Sequence, residues 1–282
     1  MEVIKNKKTL QDFIERQKEM GKKIGFAPTM GALHNGHLSL YEEARKDNDL
    51  VISSIFVNPT QFNNPEDLEK YPRDINRDIL ILKNSGLVDA VYIPEVADIY
   101  PEKTESQHYD FDGLENEMEG KSRPGHFDGV GTVVEELFRQ IKPDNAYFGE
   151  KDFQQLAIIK KMVEKKQLPV KVTGVSIYRA ENGLALSSRN QRLHEDRKEA
   201  SKVIYQTLIK VNDWFRTVTI PEIKERVADI FDQEHGMKLE YFLIADEDTL
   251  KETDFFYKDR KYRAFIVVVV DGVRLIDNMH LD

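Results

Sequence analysis

Short apolar runs along the chain alternate with stretches whose apolar residues recur every three or four positions. Lys23–Pro28, Leu50–Val57, Ala90–Pro94, Asn145–Phe148 and Val170–Ile177 are of strand length, and Leu38–Lys46, Asp74–Asn84, Gly131–Ile141 and Phe153–Lys166 carry helical spacing. Parallel strands need crossover connections, so this alternation predicts a doubly wound, Rossmann-like α/β domain with helices on both faces of a parallel sheet. Beyond about Ser188 the pattern changes to a long helical stretch, His194–Phe215, and a second helix, Pro221–Gln233. Strand-like runs follow at Lys238–Ile244, Arg263–Val270 and Val273–Ile276, the last two joined by an Asp271-Gly272 turn signal. This tail predicts a smaller α+β C-terminal domain. The boundary falls between residues 177 and 190, giving domains 1–180 and 181–282, with no Pro/Gly/Ser-rich linker to mark it.

Composition narrows the functional classes. A formal charge of -9 argues against a nucleic-acid surface, which needs surplus Lys and Arg to displace counterions, but leaves room for a local cluster of donors to an anionic small molecule. The absence of cysteine excludes disulfides, thiolate nucleophiles and Cys-based zinc sites. No apolar run reaches the roughly 20 residues that span a bilayer, and Met1–Lys8 is charged, so no membrane partner and a cytoplasmic location are expected.

Chemistry concentrates after the predicted strands. Met30, Gly31, Ala32, Leu33, His34, Asn35, Gly36 and His37 follow the first of them and open the first helix. Glycines let a nucleotide approach the backbone, free N–H groups at a helix start favour phosphate, and two imidazoles three residues apart face one ligand. Read alone, the same residues also make a turn with capping histidines. Asn58–Phe62 follows the second run as an Asn-Pro-Thr-Gln turn, Gly149, Glu150, Lys151 and Asp152 follow the fourth, and Leu186, Ser187, Ser188 and Arg189 offer hydroxyls and a guanidinium. Each has a bland reading beside the functional one: a turn, a solvated helix start, an N-cap.

His34-Asn35-Gly36-His37 resembles the HIGH signature of nucleotidyltransferases and class I synthetases. Pro28–His37, Phe56–Phe62, Arg123–Phe127, Phe148–Gln155 and Gly183–Asn190, in this order, are similar to the pantothenate synthetase family. The resemblance implies an ATP-dependent ligase that activates pantoate as an acyl-adenylate and couples it to β-alanine, with magnesium on the ATP phosphates and a homodimer as the assembly. It implies ATP contacts at Met30–His37, Gly149–Asp152, Tyr178 and Leu186–Arg189. His34, His37, Lys151 and Arg189 are the catalytic candidates, and Gln61, Gln155, Asn58, His126 and Arg123 the candidates for pantoate and β-alanine. It identifies neither metal ligands nor a base for the amine. Asp128 stands where a basic residue is common in the family, and the stretch around Tyr178–Glu181 also departs from the pattern. A nucleotidyltransferase acting on a phosphate-bearing acceptor and a silent ATP-sensing module are the rival readings.

Overall fold

The computed structural model describes residues 1–63 and 65–282, without the side chains of residues 67 and 70. It divides into two units, Met1–Glu150 with Gln154–Ser176, and Lys151–Phe153 with Ile177–Asp282.

In the first unit, strands β1 (Glu2–Ile4), β2 (Ile24–Thr29), β3 (Leu50–Ile55), β4 (Ala90–Tyr92), β5 (Asn145–Gly149) and β6 (Lys171–Val175) lie parallel in the order β1-β4-β3-β2-β5-β6. Helices α1 (Lys7–Glu19), α2 (Asn35–Asp47), α3 (Pro65–Lys70), α4 (Ile75–Ser85), α5 (Val96–Ile99), α6 (Met118–Ser122), α7 (His126–Ile141) and α8 (Phe153–Lys166) accompany them. Successive residues of β2 show why the sheet is covered twice. Phe26 meets Phe138 of α7 edge-on, whereas Ala27 joins Leu40, Tyr41 and Ala44 of α2 and Leu82 of α4 in one core cluster. The expected doubly wound α/β architecture is therefore present.

The chain steps outward from β2 to β3 and β4, then crosses back to β5 on the other side of β2. In open α/β sheets, ligands bind at the carboxyl ends of the strands where the order reverses. Here that position lies between β2 and β5, and the loops leaving them carry Met30–His34 and Glu150.

Two elements precede the strand that the pattern marks as first. β1 pairs only with β4 and buries Ile4 alone, too little signal for a strand, while α1 is an amphipathic helix capped by Asn6, whose side chain accepts from Thr9 N. The strand carrying the His-containing segment is thus the second in the chain and central in the sheet.

The second unit holds α9 (Glu195–Ala200), α10 (Lys202–Trp214) and α11 (Ile220–Asp232) with an antiparallel sheet of β7 (Met237–Asp246), β8 (Tyr262–Val270) and β9 (Val273–Leu281) in that order. Ile204, Leu208 and Val211 of α10, with Ile223 and Val227 of α11, pack on Ile266, Val268 and Leu275 of the sheet. The single helical stretch expected over 194–215 is broken at Ser201, whose buried hydroxyl donates to the Arg197 carbonyl and competes with the helical ladder.

Candidate active site

The turn from β2 into α2 is held by a buried carboxylate that the sequence pattern does not single out. Thr29 Oγ1 donates to the Ser54 carbonyl and accepts from Gly31 N. Gly31 and Ala32 then both take left-handed backbone, with φ of 85° and 52°. A Cβ on Gly31 would stand 2.9 Å from Asp78 Oδ2, so glycine is required by conformation and by space. Asp78, on α4 and 1% exposed, accepts from Ala32 N and Leu33 N at 2.8 Å each. These two charge-assisted bonds hold a conformation that alanine otherwise resists.

His34 is the N-cap of α2. Its Nδ1 accepts from Gly36 N at 3.1 Å, and Nδ1 of His37 accepts from His34 N at 3.3 Å. A ring nitrogen that accepts carries no proton, so the neutral rings of both histidines carry it on Nε2. The ring centroids are 4.1 Å apart. The structure shows the capping reading: both Nδ1 atoms bind backbone N–H at the positive end of a 13-residue helix whose first turn contains Asn35 and Gly36.

The loop after β3 is equally constrained. Asn58 is fully buried, donates to the Gly129 carbonyl and accepts from Tyr100 Oη at 2.6 Å, and burial pushes the Tyr100 hydroxyl above its ordinary pKa. α7 approaches so closely that a Cβ on Gly129 would lie 2.6 Å from the Thr60 carbonyl oxygen. The Gln61 carbonyl accepts from Arg123 Nη2 and from His126 Nδ1, both at 2.9 Å. His126 therefore carries its proton on Nδ1, and its Nε2 lies 3.4 Å from Arg123 Nη1. Arg123 and His126 clamp the main chain that presents Gln61.

At the start of α8, Gln154 and Gln155 differ sharply. Gln154 is buried, donates to the Leu114 and Glu117 carbonyls at 2.8 Å each, and accepts from Glu119 N, anchoring the segment that leads into α6. The half-buried Gln155 side chain, like that of Gln61, makes no hydrogen bond among the described residues. Asp128 accepts from His108 Nδ1 and Tyr109 N, so an acidic residue at this position pins the 108–109 backbone. The Asp128 carboxylate raises the His108 pKa.

In the second unit, Lys151 Nζ lies 3.5 Å from Asp152 Oδ2, with the lysine side chain 17% exposed. Residues 178–186 form a tight hairpin in which Leu186 N donates to the Tyr178 carbonyl and Ala180 N to the Leu184 carbonyl. Ser187 then caps the following 3₁₀ turn by accepting from Arg189 N, while Ser188 is buried. Arg179 forms a forked pair with Asp277 at 2.6 and 3.0 Å. Burial pushes the Asp277 carboxyl upward, and the Arg179 charge opposes that shift.

Comparison with known proteins decides the family. The family model described as pantoate-beta-alanine ligase matches residues 2–280. The chain belongs to the pantoate-beta-alanine ligase family. It is 52% identical over 283 residues to the pantothenate synthetase of Christiangramia forsetii, covering 100% of each chain, and 50% identical over 272 residues to that of Flavobacterium psychrophilum, covering 96% of this chain and 95% of the relative. Among solved structures, the Thermus thermophilus pantothenate synthetase superposes with a TM-score of 0.89 at 36% identity, covering 99% of both chains. The Francisella tularensis ligase, complexed with beta-gamma ATP and beta-alanine, gives 0.81 at 37%, covering 99% of this chain and 97% of that one.

For a member of this family, the residues that sequence reasoning passes over are the buried polar anchors Asp78, Gln154, Asp277 and Asn278. A buried polar side chain inside an apolar pattern was the available signal for Asp78 and for Asp277-Asn278. His108, His280 and Trp214 lie outside the matched segments: His108 pairs with Asp128, His280 with Glu247 and Asp282, and Trp214 packs against the C-terminal core.

Proposed function

We propose that the chain condenses pantoate with β-alanine using ATP, through a pantoyl-adenylate, and that its candidate site residues divide the work as follows. Pantoate's carboxylate is ionised at neutral pH and needs no general base. One carboxylate oxygen attacks the α-phosphorus, the bond to the β-phosphate oxygen breaks, and pyrophosphate leaves. The β-alanine amine then attacks the acyl carbon, AMP departs, and the amine proton passes to solvent.

The first step needs alignment and charge stabilisation. The observation that carries this reading is the pair of histidines at the start of α2, both accepting backbone N–H at Nδ1, which puts the proton of each neutral ring on Nε2. His34 and His37 serve the α-phosphate, with Met30–Gly36 as the backbone cradle. Gly149, Glu150, Lys151, Asp152, Tyr178, Leu186, Ser187, Ser188 and Arg189 serve the rest of ATP, with Lys151 and Arg189 as its cations. Gln61 and Gln155, whose amides have no partner among the described residues, read pantoate. Arg123 and His126 hold the Gln61 carbonyl, and Asn58 ties the same loop to α7 through the Gly129 carbonyl, so these three support Gln61 in that role.

Among the described residues no cluster of three or more His, Cys, Asp or Glu could hold a metal ion. In this reading magnesium comes as part of the ATP substrate, neutralising phosphate oxygens and keeping most of its waters. No helix among the described residues is long and apolar enough to cross a membrane. A cytoplasmic homodimer completes the reading, and sedimentation at micromolar concentration tests the assembly.

The test of the reaction is exchange of labelled pyrophosphate into ATP with β-alanine omitted. Reversible adenylate formation predicts exchange that depends on pantoate. Exchange that appears only after β-alanine is added would overturn the stepwise adenylate.

A further inference from the structure

We propose that the dipeptide Asp277-Asn278 in β9 is a double tether that positions two segments of the C-terminal unit, Lys151–Phe153 and the 178–186 hairpin leading into Ser187–Arg189. The inference rests on reading Lys151 and residues 178–189 as ATP-binding. Adjacent residues of a strand face opposite sides of the sheet, and these two use that geometry to hold different pieces of chain.

On one side, Asp277 is 4% exposed and takes both arms of the Arg179 guanidinium. Arg179 also donates to the Gly183 carbonyl and lies 3.9 Å from the Tyr205 ring centroid. The hairpin is thereby fixed to β9 at its base and near its tip. On the other side, Asn278 is 2% exposed and donates through Nδ2 to the Lys151 carbonyl at 2.9 Å. Its Oδ1 accepts from Arg263 Nη1 at 2.7 Å. Arg263 is held in turn by Glu247 and lies 3.9 Å from the Phe153 ring centroid, while Phe153 also packs on Phe265. Lys151–Phe153 is gripped at both ends. Asp277 Oδ1 accepts from Asn278 N at 2.8 Å, which joins the two tethers.

Asp277 and Asn278 stand among apolar residues of the hairpin. Their partners across the hairpin are Phe265 and Ile266, and the preceding residues on β9 are Leu275 and Ile276. Burying an amide and a carboxylate in such a strand is costly unless every group is satisfied. Here the bonds go to the two segments that carry the ATP-directed residues, so the pair is a positioning device rather than packing.

The test compares ATP and pantoate dependence in the pyrophosphate exchange assay. Asn278→Ala is expected to raise the KM for ATP about tenfold, the size of one or two lost hydrogen bonds, with the pantoate KM within about twofold. Asn278→Asp guards against a folding defect: it keeps the volume and an acceptor for Arg263 and puts an oxygen in place of the donor to Lys151. It should melt within a few degrees of wild type yet share the ATP defect. An Asn278→Asp enzyme with wild-type ATP KM overturns the tether, as does equal loss of ATP and pantoate binding, the mark of general damage. Lys151→Ala separates the two levels of the argument. A wild-type ATP KM in Lys151→Ala overturns the reading of Lys151 as an ATP contact, and the inference with it. A raised KM there beside a normal one in Asn278→Asp leaves that reading standing and removes the tether alone.

Discussion

Asp78→Ala probes the link between a buried carboxylate and the donors of α2. The substitution removes both acceptors of Ala32 N and Leu33 N. A hydrogen bond to a charged group contributes roughly 1.5–3 kcal/mol, so the two together hold the turn with about 3–6 kcal/mol. Against this stands the left-handed backbone of Ala32, which costs about 1–2 kcal/mol. Without the carboxylate the turn relaxes rather than enduring both penalties, and the stability lost is expected near the lower figure, about 3 kcal/mol. At about 2–4 °C per kcal/mol for a domain of this size, the melting temperature should fall by roughly 6–12 °C. Asp78→Asn is the sharper variant, because its amide retains one acceptor and turns a donor toward the second N–H. It should lose about half as much stability and still slow pyrophosphate exchange at least tenfold, since His34 follows directly on the displaced residues. Thermal melts and exchange rates of both variants supply the readout. Wild-type exchange in Asp78→Ala, with an unchanged melt, would show that the carboxylate does not hold the turn.

Gln155→Ala should raise the pantoate KM with little change in ATP affinity or melting temperature, whereas Gln154→Ala, which frees three hydrogen-bonding groups, should destabilise by about 2–3 kcal/mol in denaturant titration. Equal pantoate defects with equal melts would erase the distinction between the two glutamines. Gln61→Ala should resemble Gln155→Ala, because the clamp of Arg123 and His126 grips its carbonyl rather than its side chain. The Asp128 carboxylate raises the His108 pKa, so the stability from that pair is fully present below the ordinary histidine value of 6.5 and is lost as pH rises through the raised one. The small gap in melting temperature between wild type and His108→Gln should therefore be wider at pH 5.5 than at pH 9, and a gap that widens with pH would contradict the pairing.

The doubly wound sheet was legible because β2, β3 and β5 are short, mostly apolar runs separated by helices with clear spacing. What escaped notice had weak local signals. β1 has three residues and one buried side chain, and the break at Ser201 depends on a hydroxyl that is helix-compatible in sequence and turns back on its own backbone. α7 begins at His126, five residues before the position expected from its pattern, and takes in Gly129 and Gly131. In the fold they give room to Thr60 and to the Tyr109 and Phe111 rings. In the candidate site, the matched segments single out the side chains proposed to meet the substrates. The residues that hold those segments are distant in the chain: Asp78 stands 46 positions from Ala32, and Asn278 127 from Lys151. A partner at such separation leaves no trace in local periodicity.

A chain that makes a pantoyl-adenylate at the N-terminus of α2 should reveal it in rapid-quench single turnover. Chain in excess over ATP labelled at the α-phosphate, with pantoate and no β-alanine, should yield pantoyl-adenylate and pyrophosphate in equal amounts, and later addition of β-alanine should convert the adenylate to AMP and pantothenate. Loss of one donor to developing charge costs on the order of a hundredfold in rate, so His37→Ala should slow the first phase by about that factor while direct titration shows ATP binding changed far less. A first phase without adenylate would contradict the account, and so would a His37→Ala variant that forms it at the wild-type rate.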